Sequence, residues 1–254
     1  MKNTYKLSYV LLATIMVVGT VFAFSRNNQT PSKKITEPQP DQAKWKLREE
    51  ENKKNFPVAD FNEPEPVEPL KRELRRQKKL RKNKLGLVSL NPGPNSGGGL
   101  FLPHNQFNFP ALPVKESSVI VIADVLHSEA HLSEDKTSVF SEFTIRLTDV
   151  LKANSSLQST EMVVERLGGY VRYPDGRKLL YRVGTGSMPR VGARYLFFLK
   201  PSPELDYSIL TAYEFGQKGV IPLDSSGQFQ QYEGYDSAVL RTLVIETINK
   251  SGNQ

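Results

Sequence analysis

His127, Glu129 and His131 occupy alternate positions of a segment rich in Val and Ile. In an extended chain alternate side chains share one face. Two imidazoles and a carboxylate on one face are donor types that hold divalent ions. Three donors do not specify a metal, and the same residues suit the polar, solvent-exposed tip of a hairpin beside Glu134 and Asp135. No metal and no cofactor is assigned on this basis. His104, the remaining histidine, has no partner that the sequence identifies.

Other chemistry is thinner. Gly184-Thr185-Gly186-Ser187 supplies glycines and hydroxyls. It lacks the Lys-Ser/Thr that completes a phosphate loop and the glycines flanking serine in a nucleophile elbow. Thr185 and Ser187 fit hydroxyls that satisfy loop backbone groups. Asp124, Asp149 and Glu165 cannot be paired by inspection, and no Ser/His/Asp set, paired-acid site or nucleotide motif stands out. The chain is not expected to be an enzyme. Asn154-Ser155-Ser156 fits a glycosylation acceptor, which means nothing if the source is bacterial.

A basic run covers residues 70–85, LKRELRRQKKLRKNKL. Lys71, Arg72, Arg75, Arg76, Lys78, Lys79, Arg81, Lys82 and Lys84 face a single acid, Glu73. Its residues are good helix formers. Leu70 and Leu74 share a helical face that Leu80 and Leu85 do not extend, so an inserted amphipathic helix is not expected. Two readings remain open: a solvated spacer, or a surface that docks on a polyanion such as anionic lipid or a cell-wall polymer. No nucleic-acid recognition motif accompanies the charge.

The elements that carry these residues begin with residues 7–24, LSYVLLATIMVVGTVFAF, which hold no charge and follow Lys2 and Lys6. Their length is near the lower limit for spanning a bilayer, and the lysines favour a cytoplasmic N-terminus. An uncleaved anchor and a signal peptide cut after Ala23 both fit. Either sends the rest of the chain out of the cytoplasm. The chain of 254 residues has a formal net charge of +7, but the charge is unevenly placed. Residues 26–90 hold 17 Lys and Arg against 10 Asp and Glu, whereas residues 91–254 hold 15 against 17. Cysteine is absent, which excludes disulfides, thiolate catalysis and Cys-type zinc sites.

Prolines at 31, 38, 40, 57, 64, 66 and 69 break residues 26–69, with a short helix expected over 41–55. Residues 87–106 contain Pro92, Pro94 and three consecutive glycines, Gly97 to Gly99. Residues 26–108 are therefore expected to be a disordered basic linker between the N-terminal segment, 1–25, and a folded domain beginning at 109. From 118 the hydrophobic period becomes two, and strands are predicted at 118–132, 139–152, 161–169, 178–183, 193–200, 206–213 and 218–224. YPDGR at 173–177 is a turn signal: proline presets one corner and glycine permits positive φ. Residues 193–200 are apolar on both faces, as in a doubly covered strand. Tyr170, Tyr173, Tyr181, Tyr195, Phe197 and Phe198 suit either core packing or a ligand groove. Residues 237–249 return to a helical period, with Val239, Leu240, Leu243, Val244, Thr247 and Ile248 on one face. The expected architecture is mainly β: a small antiparallel barrel over 109–224, then a loop and amphipathic helix over 225–254.

Two segments carry a family resemblance. FTIRLTDVLK at 143–152 resembles the F-x-V-x-x-V-x-K strand of netrin-like and metalloproteinase-inhibitor-like domains. VGARYLFFL at 191–199 is similar to their loop glycine leading into G-x-x-Y-L-x-F. The chain also resembles exported bacterial proteins that keep this scaffold without cysteines and end the third strand in Gly-Gly, here Gly168 and Gly169. The resemblance covers about residues 119–223 and implies a five-stranded OB-type barrel. Animal inhibitors of this type act through an N-terminal cysteine that this chain lacks, so their mechanism is not carried over. The expected function is an exported, membrane-tethered, non-enzymatic binding or scaffold module of the cell envelope, with an unknown protein partner. A metal-dependent or hydrolytic enzyme on the barrel face and a protease-inhibitor-like domain are the alternatives.

Overall fold

The computed structural model describes residues 42–83, 100–102, 109–153, 157, 159–184, 186–202 and 207–252. Contacts divide the chain into Met1–Lys46 and Leu47–Gln254. Apart from residues 42–46, the features below belong to the second unit, which is mainly β with a C-terminal helix. Residues 7–24 lie outside the described residues; among those described, no helix is long and apolar enough to cross a membrane.

β3 (Val119–Leu132) and β4 (Val139–Ala153) form a long antiparallel hairpin. Its turn is held by Asp135, whose carboxylate accepts from Ser133 Oγ at 2.8 Å and from the Thr137 backbone N–H at 3.1 Å. β5 (Glu161–Leu167) pairs antiparallel with β4, and β8 (Arg194–Pro201) pairs antiparallel with β3. β9 (Tyr207–Gly216) joins the two free edges, antiparallel to β8 and parallel to β5. The pairings thus run β3-β4-β5-β9-β8 and return to β3. β10 (Gly219–Pro222) adds to β9.

The alternation foreseen for these strands becomes two apolar layers. Val121, Val125, Phe143, Ile145, Val164, Tyr195, Phe197 and Leu199 pack together inside the ring of strands. Ile120, Ile122, Leu196, Phe198 and Tyr213 face the other way. They meet Phe229 from the short helix α3 (Gly227–Gln230) and Leu240 and Val244 from α4 (Ser237–Gly252). β8 is therefore covered on both sides, as its all-apolar sequence demands. Asp236 starts α4, its carboxylate accepting from the Ala238 N–H at 2.8 Å, the usual satisfaction of a helix's first donors. Val239, expected on the buried face of that helix, is instead exposed.

β5 does not run on through the glycine pair. Gly168, at φ 122°, turns the chain out of one sheet and β6 (Gly169–Arg172) enters another. A Cβ at Gly168 would lie 2.5 Å from the Met188 methyl, so backbone freedom and lack of bulk are both required. β6 and β7 (Lys178–Val183) form the hairpin whose YPDGR turn places Gly176 at φ 85°. β1 (Val58–Asp60) adds parallel to β6, and β2 (Leu100–Leu102) adds parallel to β7. Ala59, Leu132, Val139, Val171 and Tyr181 form a third apolar cluster between this four-stranded sheet and the end of the β3–β4 hairpin.

This corrects the expected domain start. Residues 42–83 and 100–102, assigned to a disordered linker apart from the short helix expected over 41–55, form that helix, α1 (Gln42–Lys53), and β1, α2 (Pro69–Arg81) and β2. Phe56 and Ala59 are buried in the core. Pro57, Pro64 and Pro66 misled because they sit between the elements; Pro69 occupies the first turn of α2, where the missing N–H costs nothing.

Candidate functional site

Three carboxylates form a row across the sheet. In the β3–β4 register Glu129 lies opposite Glu142, and in the β4–β5 register Glu142 lies opposite Glu165. Like charges directly opposed on neighbouring strands destabilise a sheet. α2 lies over the row and supplies the opposite charge. Arg75 Nη2 is 3.4 Å from Glu129, Lys78 Nζ 2.8 Å from Glu142 and Lys82 Nζ 2.5 Å from Glu165. The first two lie within the helix and Lys82 caps its C-terminal end, at i, i+3 and i+7 spacing along one face. Three or four helical residues rise about 4.5–6 Å, close to the roughly 4.8 Å between strands. Each cation therefore falls over one strand.

The helix has no buried residue of its own. Its C-terminal end is fixed by backbone bonds as well: the Glu134 N–H donates to Lys79 O at 3.2 Å and Ser138 Oγ donates to Lys82 O at 2.8 Å. Glu165, almost fully buried, also accepts from Ser202 Oγ at 3.2 Å and Ser208 Oγ at 3.1 Å.

His131 stands at one end of this row and is 2% exposed. Its Nδ1 lies 2.8 Å from Glu63 Oε1, on the loop between β1 and α2. Burial pushes the Glu63 carboxyl up, but the His131 hydrogen bond and the charges of His131 and Lys79 outweigh it and hold it down at about 2. Glu63 is then ionised and can only accept, so Nδ1 carries the donated proton. Nε2 is buried without a hydrogen bond; Glu129 Oε1 is 3.5 Å away and Glu142 Oε2 3.9 Å away. Burial lowers the imidazole's proton affinity, yet the neighbouring Glu129 and Glu63 raise it above the usual histidine value. The contact with His131 in turn holds Glu129 below the usual carboxylate range against its own burial.

A cavity of about 240 Å³ opens beside the other end of the row. Phe109, Leu167, Val183, Ile209, Leu210 and Phe229 supply its apolar wall. Its polar lining includes Lys82 and Glu165, and Arg166 paired with Asp224. Asp224 also accepts from Thr211 Oγ1 at 2.8 Å.

The structure brings together only part of the predicted trio. Glu129 and His131 converge, but His127 is exposed. Glu142 and Glu63 take its place, and neither was singled out from sequence. The spacing of alternate residues was legible; the partners across strands depend on register, which shifts at three points in the β3–β4 pairing. Of the basic run, Arg75, Lys78, Lys79 and Lys82 turn toward Glu63 and the row. Lys71 and Arg76 pair with Glu68 and Glu73 of their own segment, and Arg72 with Glu65. Arg81 is exposed, and Lys84 lies outside the described residues, as do His104, Asn154 to Ser156 and Thr185. Tyr173, Tyr181, Tyr195, Phe197 and Phe198 are buried, so they build core and no groove. Ser187 donates its backbone N–H to Leu223 O at 3.1 Å, as befits a loop residue. Asp124 and Asp149 pair with Arg194 and Arg241 in exposed ion pairs. No family model matches the chain, and no relative is found among curated proteins.

Proposed function

We propose that the chain is an extracytoplasmic binding module: an OB-type barrel tethered to the membrane through residues 7–24, or released by cleavage after Ala23. The strand order β3-β4-β5-β9-β8, with β5 and β9 its one parallel pairing, supports the OB-type reading. The resemblance of residues 143–152 and 191–199 to netrin-like domains supports it independently. Binding, and not catalysis, is the reading because the charged groups that line the cavity, Lys82 with Glu165 and Arg166 with Asp224, are engaged in ion pairs with one another.

The observation that carries the proposal is the cavity beside β5 and β9. Its volume suits a small ligand or a single side chain of a partner, its walls are mainly apolar, and charged pairs line one part of it. Such a mixture gives affinity through apolar contact and orientation through a few polar groups. The test uses the chain from residue 24 onward, the product of cleavage after Ala23, and the amphiphilic dye 1-anilinonaphthalene-8-sulfonate. Saturable one-site binding is expected in the native state. Val183→Phe, which fills the cavity from its wall, should abolish that binding without lowering the melting temperature. Dye binding that is equally strong in a folded Val183→Phe variant would place the site elsewhere and sink the reading.

A further inference from the structure

We propose that His131 Nε2 and the carboxylates of Glu129 and Glu142 form a binding site for a divalent transition-metal ion, with Zn2+ the first candidate. The three donor atoms lie within 4.8 Å of one another. Nε2 stands 3.5 Å from Glu129 Oε1 and 3.9 Å from Glu142 Oε2. Two tetrahedral zinc ligands at about 2.0–2.1 Å from the ion stand roughly 3.3–3.4 Å apart. Nε2 and Glu129 already stand at nearly that spacing, and an ion that drew the Glu142 carboxylate and the exposed Glu129 side chain inward would bridge all three.

The independent pointer is the state of the imidazole. His131 is buried and its Nε2 has no hydrogen bond, which is costly for a polar atom out of water. Its other nitrogen donates to Glu63 at 2.8 Å. A carboxylate on Nδ1 that fixes the tautomer and aims Nε2 is the outer-shell arrangement of histidine metal ligands. The strands supply rigidity: Glu129 and Glu142 are cross-strand partners, and His131 follows Glu129 on the same face. Glu129 is the most exposed of the three, its side chain 43% accessible, and so provides the entry side. The open coordination position falls to water.

The cations of α2 share these carboxylates. Lys78 contacts Glu142 through Oε1, leaving Oε2 toward His131. Arg75 reaches Glu129 at 3.4 Å but holds Glu63 at 2.9 Å, so it can yield the longer contact and stay docked. An ion and α2 therefore compete in part, and Lys78→Ala should tighten metal binding.

The experiment is calorimetric titration of the full chain with ZnCl2 after chelator treatment. One equivalent is expected to bind. Glu129→Gln and Glu142→Gln should each weaken it by more than about tenfold, a loss at least equal to that seen for outer-shell changes. His127→Ala, on the exposed part of the same strand, should leave it unchanged. X-ray absorption at the zinc edge should find only nitrogen and oxygen neighbours at about 2.0–2.2 Å. Because His131 is buried, its own replacement would confound folding with binding; the two glutamine variants, shown to be folded at the titration temperature by a cooperative melt above it, carry the test. No saturable binding, or binding that both glutamine variants retain at wild-type strength, overturns the proposal.

Discussion

Lys82 and Glu165 are the most deeply placed of the ion pairs under α2, with side chains 13% and 3% exposed. Removing one partner of such a pair strands the other charge and costs about 3–5 kcal/mol. Lys82→Ala should therefore lower the melting temperature of a chain this size by roughly 6–20 °C. Lys71→Ala, whose 2.8 Å bridge to Glu68 lies in the open, should leave the melting temperature essentially unchanged. Equal effects from the two in parallel melts would contradict the docked geometry. Asp124 gives a pH counterpart. Its hydrogen bond to Arg194, outweighing partial burial, holds its carboxyl below the ordinary value. A group whose folded pKa is depressed contributes stability above its unfolded value and loses it as pH falls through the folded one. With both side chains part exposed, the pair is worth at most about 1 kcal/mol. The urea midpoints of wild type and Asp124→Asn should differ at about pH 5 and draw together as pH falls below the ordinary carboxylate range; a constant gap would assign the effect to packing. Nothing in the sequence paired Asp124 with Arg194 or Glu165 with Lys82, because each pairing is made by strand register or helix docking across tens of residues.

α2 reverses the usual amphipathic logic. Leu70, Leu74 and Leu80 are exposed, while cations that a hydropathy pattern assigns to water face the protein. Its helix-forming residues were legible, and so was its poor apolar stripe, but the segment was assigned to a disordered linker because nothing local offered it a surface. Its destination was not, because the complementary surface is assembled from three strands that follow it in sequence. β1 and β2 were illegible for a related reason: each has three residues, too few for a period, and each exists only as an addition to the edge of a distant hairpin. A chain begun at residue 109 would lack α2, β1 and β2 together. It would bare the edges of β6 and β7 and leave Glu129, Glu142 and Glu165 without their cations. Unpaired edges invite association. Residues 109–254 should therefore elute as oligomer or aggregate in size-exclusion chromatography, and any monomer should melt at least about 6 °C below the chain that starts at residue 42. A monomeric, equally stable fragment would show that the arm is not part of the fold.

At the scale of the whole molecule, the larger sheet and the C-terminal helix were largely written in local pattern. β7 falls on the predicted residues, and β3, β4, β8 and β10 within two residues of them. β9 runs three residues further than its pattern foretold, and the third predicted strand divides at Gly168 into β5 and β6. What local pattern omits is the way the two ends of the domain meet. Asp60 of β1 and Arg172 of β6 form a two-point ion pair across a sequence separation of 112. Such separation raises the entropic cost of closure and slows folding. It also sets a clock on biosynthesis. At about 5–20 residues per second, the segment that becomes β1 waits roughly 6–22 seconds for its partner to be made. Throughout that interval the helix beside it has no carboxylate row to lie on. A dense run of Lys and Arg is well suited to the wait, since like charges keep an unpartnered segment in water and away from its copies. The cations that later lock the domain thus first serve as the nascent arm's own solubilising agent.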